Sequence, residues 1–187
     1  MDDLILHVVS LGALATERSS RHALVAQLAD RHGFGPIHWR CPWCGSDQHG
    51  RPLAPAVSIS TSHHHGLVAV VFDRQRRRVG LDLTAAVAPP EAEGIASLLF
   101  TPAERVLLHE AAPQEHGFAR LWSSKEALGK AHGCGLSLDE PGAEGGVLDT
   151  VHHHDWLRQL EALPTGVIGM LAIDPAKPRS PVTRCSV

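Results

Sequence analysis

"LWSSKEALGK", Leu121 to Lys130, is the stretch on which the reading of this chain depends. Trp122, Glu126 and Lys130 stand four residues apart and share one face of a helix, while Phe118, Leu121, Lys125 and Leu128 share the neighbouring face. A core helix would carry leucines at such positions. This one carries two of the chain's three lysines, against fourteen arginines elsewhere. Lys is a compact ammonium point charge, whereas Arg is a planar fork. Taken alone, Glu126 and Lys130 have a plain reading as an i,i+4 surface pair contributing about 0.2–0.5 kcal/mol.

Forty-odd residues upstream, "VGLDL" (79–83) changes the weighting. Asp82 ends an otherwise apolar strand, where a carboxylate is costly unless it binds something. Its plain reading is a turn residue opening "LTAAVAPP". A strand-end carboxylate, a helix carboxylate and ammonium groups beside them suit a hard cation and a phosphate.

The rest of the chain supports one large domain or two small halves. It has 187 residues, 43% hydrophobic and 20% charged, enough for a real core. A net charge of −3 argues against a non-specific nucleic-acid binder. No apolar run approaches the roughly 20 residues that cross a bilayer, and "MDDLILHVVSL" starts too acidic for a signal peptide. A cytoplasmic protein is the expectation. Four scattered cysteines do not make a disulfide scaffold.

Periodicity predicts strands over Leu4–Leu11, Val57–Thr61, Leu67–Phe72, Val79–Leu83, Val147–Val151 and Val167–Ile173. It predicts helices over Arg18–His32 and Gly117–Ala131. "HWRCPWCGSDQHGRPLAP" reads as turns, "SHHHG" and "DRQRRR" as hairpin tips, and "DWLRQLEAL" as undecided. Thr101-Pro102-Ala103-Glu104 is a capping box opening a helix. The coarse repeat of strand, helix and strands suggests two α+β halves meeting near Val79.

The pair "VGLDL … LWSSKEALGK" resembles the signature of the surfactin-type 4′-phosphopantetheinyl transferase family. In that signature a Gly-x-Asp strand end precedes a Trp-Ser/Ala-x-Lys-Glu-x-x-x-Lys helix. "SISTSHHHG" resembles the family's Ser-His-Ser segment, "HGRP" its Gly-Lys-Pro turn, "RSSRHALVAQLADRHG" its basic helix, "LFTPAER" the helix between the motifs, and "GCGLSL" the segment after the catalytic helix. The likeness runs from about residue 16 to 140.

The resemblance implies an α+β fold: a pseudo-dimer of two similar halves, residues 1–78 and 79–187, each a small antiparallel sheet packed on a long helix. It implies a holo-[acyl-carrier-protein] synthase type of enzyme. Phosphopantetheine would move from coenzyme A to a serine of an acyl or peptidyl carrier protein, with assembly-line pathways favoured and a monomer expected. Asp82 and Glu126 would hold magnesium, and Glu126, or a water it positions, would take the serine proton. Lys130 would neutralise the diphosphate, with help from Lys125. Arg18 and His63 would meet the 3′-phosphate beside Ser62, and Gly50-Arg51-Pro52 would flank the adenine. The family often has a second carboxylate two residues after the aspartate, where this chain has Thr84. Two rivals stand beside this reading: a degenerate member that only binds coenzyme A, and a non-enzymatic metal module built on Cys41, Cys44 and His49.

Overall fold

The computed structural model describes residues 3–41, 44–47, 50–86, 90–110, 114–133 and 154–178. Eight strands and four α-helices follow in chain order: β1 (Leu4–Ser10), α1 (Arg18–Arg31), β2 (His38–Arg40), β3 (Arg51–Leu53), β4 (Ser58–His64), β5 (Leu67–Asp73), β6 (Arg77–Ala85), α2 (Ala92–Leu99), α3 (Pro102–Glu110), α4 (Gln114–His132), β7 (Leu157–Gln159) and β8 (Val167–Pro178). A 3-10 turn at Gly12–Thr16 joins β1 to α1.

Two three-stranded antiparallel sheets carry the fold, one in the order β1-β5-β4 and the other β6-β8-β7. The same element order thus recurs. A strand leads to a helix, and two further strands return with the last one central. The insertions differ: the β2-β3 hairpin enlarges the first unit, and α2 and α3 the second.

Side-chain alternation assigns the faces. In β5, which is buried along its whole length, Val68, Val70 and Phe72 pack with Val25, Leu28 and Ala29 of α1. The opposite face, Leu67, Ala69 and Val71, packs on Val79, Leu81, Leu83 and Leu171 of the second sheet. That sheet's far face, through Met170 and Ala172, meets Ala127, Leu128 and Ala131 of α4. The layers therefore run helix, sheet, sheet, helix.

Among the described residues the predicted elements are present; β4 and β8 run three and five residues past their predicted ends, and α4 begins three residues early. The His-rich hairpin turns at His65 (φ 45°) and Gly66 (φ 79°). The capping box forms as expected: Thr101 N–H donates to Glu104 Oε2 at 2.8 Å, and Glu104 N–H to Thr101 Oγ1 at 3.2 Å. One reading changes and one is resolved: the turn-rich stretch contains β2 and β3, and the undecided segment holds β7. Val147–Val151 and the Gly-x-Gly segment after Gly133 lie outside the described residues. Among the described residues, no helix is long and apolar enough to cross a membrane.

Candidate active site

Asp82 sits on β6, on the face that meets α4. Two residues earlier on the same face, Gly80 lets the helix come close. A Cβ added at Gly80 would lie 1.8 Å from the Ala127 carbonyl oxygen and 2.5 Å from the Ala131 nitrogen. The glycine of "VGLDL" is thus a packing requirement, and it brings the α4 side chains over the Asp82 carboxylate.

The Asp82 carboxylate is buried, and its Oδ1 accepts from Lys130 Nζ at 2.7 Å and from Ser62 Oγ at 3.2 Å. Lys130 Nζ also donates to the Leu81 carbonyl at 3.0 Å and lies 3.4 Å from Ser62 Oγ. Ser123 Oγ donates to the Asp82 carbonyl at 3.3 Å, fixing α4 against the strand. Glu126, half-buried, lies one helical turn before Lys130. Burial raises its pKa above the usual carboxyl range, the Lys130 ammonium pulls it back, and the Asp82 carboxylate pushes it up again. Two carboxylates and one ammonium therefore share a small volume.

On the other side of Ser62 lies a cleft of about 250 Å³, lined among others by Arg18, Arg21 and His22 of α1, Trp39 of β2, and Ser62 and His63 of β4. No carboxylate is among the described residues that line it. Arg18 Nε donates to His22 Nε2 at 3.2 Å, and the His22 ring stacks on Trp39 with centroids 3.8 Å apart. Arg21 is tied down by bonds from Nη1 to the Ala15 and Thr16 carbonyls, 2.7 Å each. Burial lowers the pKa of His63, and the positive charges of Arg21 and Lys130 lower it further. His22 is lowered by burial and by Arg18 and Arg21. The cleft gathers positive charge, and that charge disfavours protonation of its imidazoles.

The structure thus brings together Asp82, Glu126, Lys130 and Ser62, and places Arg18 and His63 in the adjoining cleft. Lys125 goes elsewhere. It is turned into the core, where its Nζ donates to both Glu104 carboxylate oxygens at 3.0 and 2.9 Å, and it is 2% exposed. The Lys125 ammonium therefore faces Glu104 rather than the group around Asp82. Arg51 lies at the end of α4, against Gly133, rather than among the cleft residues. Pro52 is buried opposite Trp39 in the hairpin register, and of that turn only Gly50 lines the cleft. Arg21, His22 and Trp39 were not anticipated. For the first two the signal was available, since Arg21 and His22 follow Arg18 by three and four residues and share its face. Of the rival metal set, Cys41 is buried and Cys44 exposed, and His49 lies outside the described residues.

Residues 78–161 match the model of the 4′-phosphopantetheinyl transferase superfamily. The matched span holds Asp82, Glu104, Lys125, Glu126 and Lys130, whereas Arg18, Arg21, His22, Trp39 and His63 precede it. The chain is also similar to an L-aminoadipate-semialdehyde dehydrogenase-phosphopantetheinyl transferase of Eremothecium gossypii, 38% identical over 104 residues. That likeness covers 51% of this chain and 36% of the relative, so the chain spans about a third of the relative's length.

Among the described residues, no three His, Cys, Asp or Glu side chains gather as a metal cage. Asp82 and Glu126 are the two carboxylates at the site. Burial chiefly, and the Asp82 carboxylate in addition, make the charged form of Glu126 costly, and a divalent cation would relieve that cost. Magnesium takes one or two carboxylates and completes its shell with water and phosphate oxygens, so this donor set fits it.

Proposed function

We propose that this protein is a 4′-phosphopantetheinyl transferase of the surfactin type, moving phosphopantetheine from coenzyme A to a serine of an acyl or peptidyl carrier protein. The observation that carries the reading is the shared wall at Ser62. Its hydroxyl bonds Asp82 of the carboxylate pair, and the same residue lines the cationic cleft. A ligand with a terminal phosphate and a diphosphate needs such adjoining sites of opposite character. The two halves, 1–78 and 79–187, are read as a pseudo-dimer acting as a monomer in the cytoplasm, with assembly-line carrier proteins as the favoured partners.

In this mechanism Arg18 and His63 hold the 3′-phosphate, and Gly50, the residue of its turn that lines the cleft, flanks the adenine. Asp82 and Glu126 would hold magnesium, which would neutralise charge on the diphosphate. Lys130, 2.7 Å from Asp82, adds a point charge where the leaving phosphate gains its negative charge. The carrier serine oxygen attacks the phosphorus nearer the pantetheine. The bond to the second phosphate breaks, and adenosine 3′,5′-bisphosphate departs. The serine proton goes to Glu126 or to a water that it positions; a carboxyl with a raised pKa is the better base. Chemistry of this kind is mostly positioning and charge stabilisation.

Thr84 lies two residues after Asp82, where a further carboxylate often stands in the family. With one carboxylate fewer, a bound metal would depend more on the substrate's own diphosphate. Thr84→Ala should keep most of the turnover, and magnesium should bind far more tightly with coenzyme A than without it. Calorimetry of both states checks this.

The overall test is mass spectrometry of apo-carrier proteins, one acyl and one peptidyl, incubated with coenzyme A and magnesium. A gain of one phosphopantetheine group is expected. No gain on either carrier, with coenzyme A bound, would leave the reading of a degenerate binding member.

A further inference from the structure

Glu104 and Lys125 form an ion pair more deeply buried than any contact of the site itself. Their side chains are 0% and 3% exposed, and Lys125 Nζ sits between both carboxylate oxygens. The same Glu104 carboxylate accepts the Thr101 N–H that opens α3. One carboxylate therefore joins the first turn of α3 to the middle of α4. The Lys125 ammonium also lies 5.8 Å from the centre of the Phe100 ring.

Apolar side chains of the same volume would hold two helices together at least as well, because desolvating both charges costs most of what their attraction returns. An ion pair adds direction. Its hydrogen bonds allow one rotation of α4 about its axis, where packed hydrocarbon tolerates several. Lys125 immediately precedes Glu126, so the rotation that satisfies Glu104 also fixes where Glu126 points. Ser123 Oγ, bonded to the Asp82 carbonyl, anchors the opposite side of the same turn.

We propose that Glu104 and Lys125 are positioning residues. Their buried pair sets the rotation of α4 and so holds the Glu126 carboxylate beside Asp82 in the geometry that a metal requires. The proposal rests on the transferase reading above, and it assigns Lys125 to the framework of the site rather than to coenzyme A.

The test uses the full chain, with Mn²⁺ as a spectroscopic stand-in followed by electron paramagnetic resonance in the presence of coenzyme A. Glu104→Gln/Lys125→Met removes both charges at nearly constant volume. It should melt within a few degrees of wild type and bind coenzyme A with unchanged affinity, yet lose about tenfold or more in Mn²⁺ affinity, with a fall in kcat rather than a rise in KM. Lys125→Arg, which keeps the charge but changes the arm length, guards against a double variant that fails to fold. It should melt as wild type and show a smaller loss of Mn²⁺ affinity. Wild-type Mn²⁺ affinity in folded variants would overturn the positioning role alone. Wild-type protein that binds no Mn²⁺ with coenzyme A present would overturn the transferase reading, and this role with it.

Discussion

The cleft on α1 and the carboxylate pair under α4 lie on opposite sides of Ser62 and are built by opposite rules. The cleft is cationic, open and made of long or flat side chains, with Arg18, Arg21, His22 and Trp39 half-buried and His63 exposed. Its polar contacts are local, within α1 or to the turn before it. The pair under α4 is anionic and tightly held. Asp82 is buried, and Ser62, Ser123 and Lys130 come to it from two other elements. A site that recognises an anion in partial contact with water can be assembled from one amphipathic helix. A site that must hold two like charges together needs the tertiary structure to oppose their repulsion.

If the two regions divide the work in this way, damage to each should be separable. The largest effect is expected at the carboxylates. Asp82→Asn and Glu126→Gln should each lower carrier modification by roughly 100- to 1000-fold, the usual loss for one transition-state contact. Coenzyme A should still bind in the cleft. Turnover near wild type at saturating magnesium would break the division. In the cleft, Arg18→Ala and His63→Ala should weaken coenzyme A by about tenfold or more, the scale of a charge-assisted hydrogen bond. Dephospho-coenzyme A should be almost unaffected, and equal losses for both ligands would place the 3′-phosphate elsewhere.

Gly80→Ala sharpens the comparison from the structural side. A methyl group 1.8 Å from a backbone oxygen must push α4 off β6, so a loss of about 1–3 kcal/mol is expected in thermal or urea melts. Metal affinity should fall with it, while the cleft keeps its ligand.

The smallest effect concerns pH. His7, His22, His63 and His64 all have pKa values lowered by burial and then by neighbouring positive groups; for His7 these are His32, whose Nε2 lies 2.8 Å from its own, and Arg31. A group whose folded pKa is depressed contributes stability above its unfolded value and loses it as pH falls. The ligand-free protein should therefore melt progressively lower below about pH 6.5, the unfolded histidine value. Glu126, raised by burial, acts in the opposite sense and costs stability as pH rises. Glu126→Gln should melt slightly above wild type at pH 7 without metal. Calorimetric scans from pH 8 to pH 5 check both signs.

How much of this was legible depends on whether a feature is local. The capping box, the His-rich hairpin and the spacing of Trp122, Glu126 and Lys130 are set by neighbours in sequence, and the chain declares them. The fate of Lys125 is not local. Its partner lies twenty-one residues away on another helix, and only the folded contact shows that the charge points inward. The β2-β3 hairpin escaped for a different reason. Its strands are three residues long and enclose a turn-rich loop, so no alternation can develop. Trp39, which supplies one wall of the cleft, therefore carries no local signal of its place.

Two serines give the molecule a built-in gauge. Ser60 and Ser62 lie on β4, at the edge of one sheet, and their hydroxyls accept the N–H groups of Leu81 and Leu83 on β6, at the edge of the other, each at 3.0 Å. The two edges are joined by side-chain rungs instead of a shared backbone ladder, so their separation is set by the length of a serine side chain. His63 points from the same strand toward the cleft, and Asp82 comes from the strand on the far side of the rungs. The separation of His63 and Asp82 is thereby set by the scaffold. If His63 meets the 3′-phosphate as proposed, a nucleotide that carries this phosphate at the 2′ position should bind more weakly.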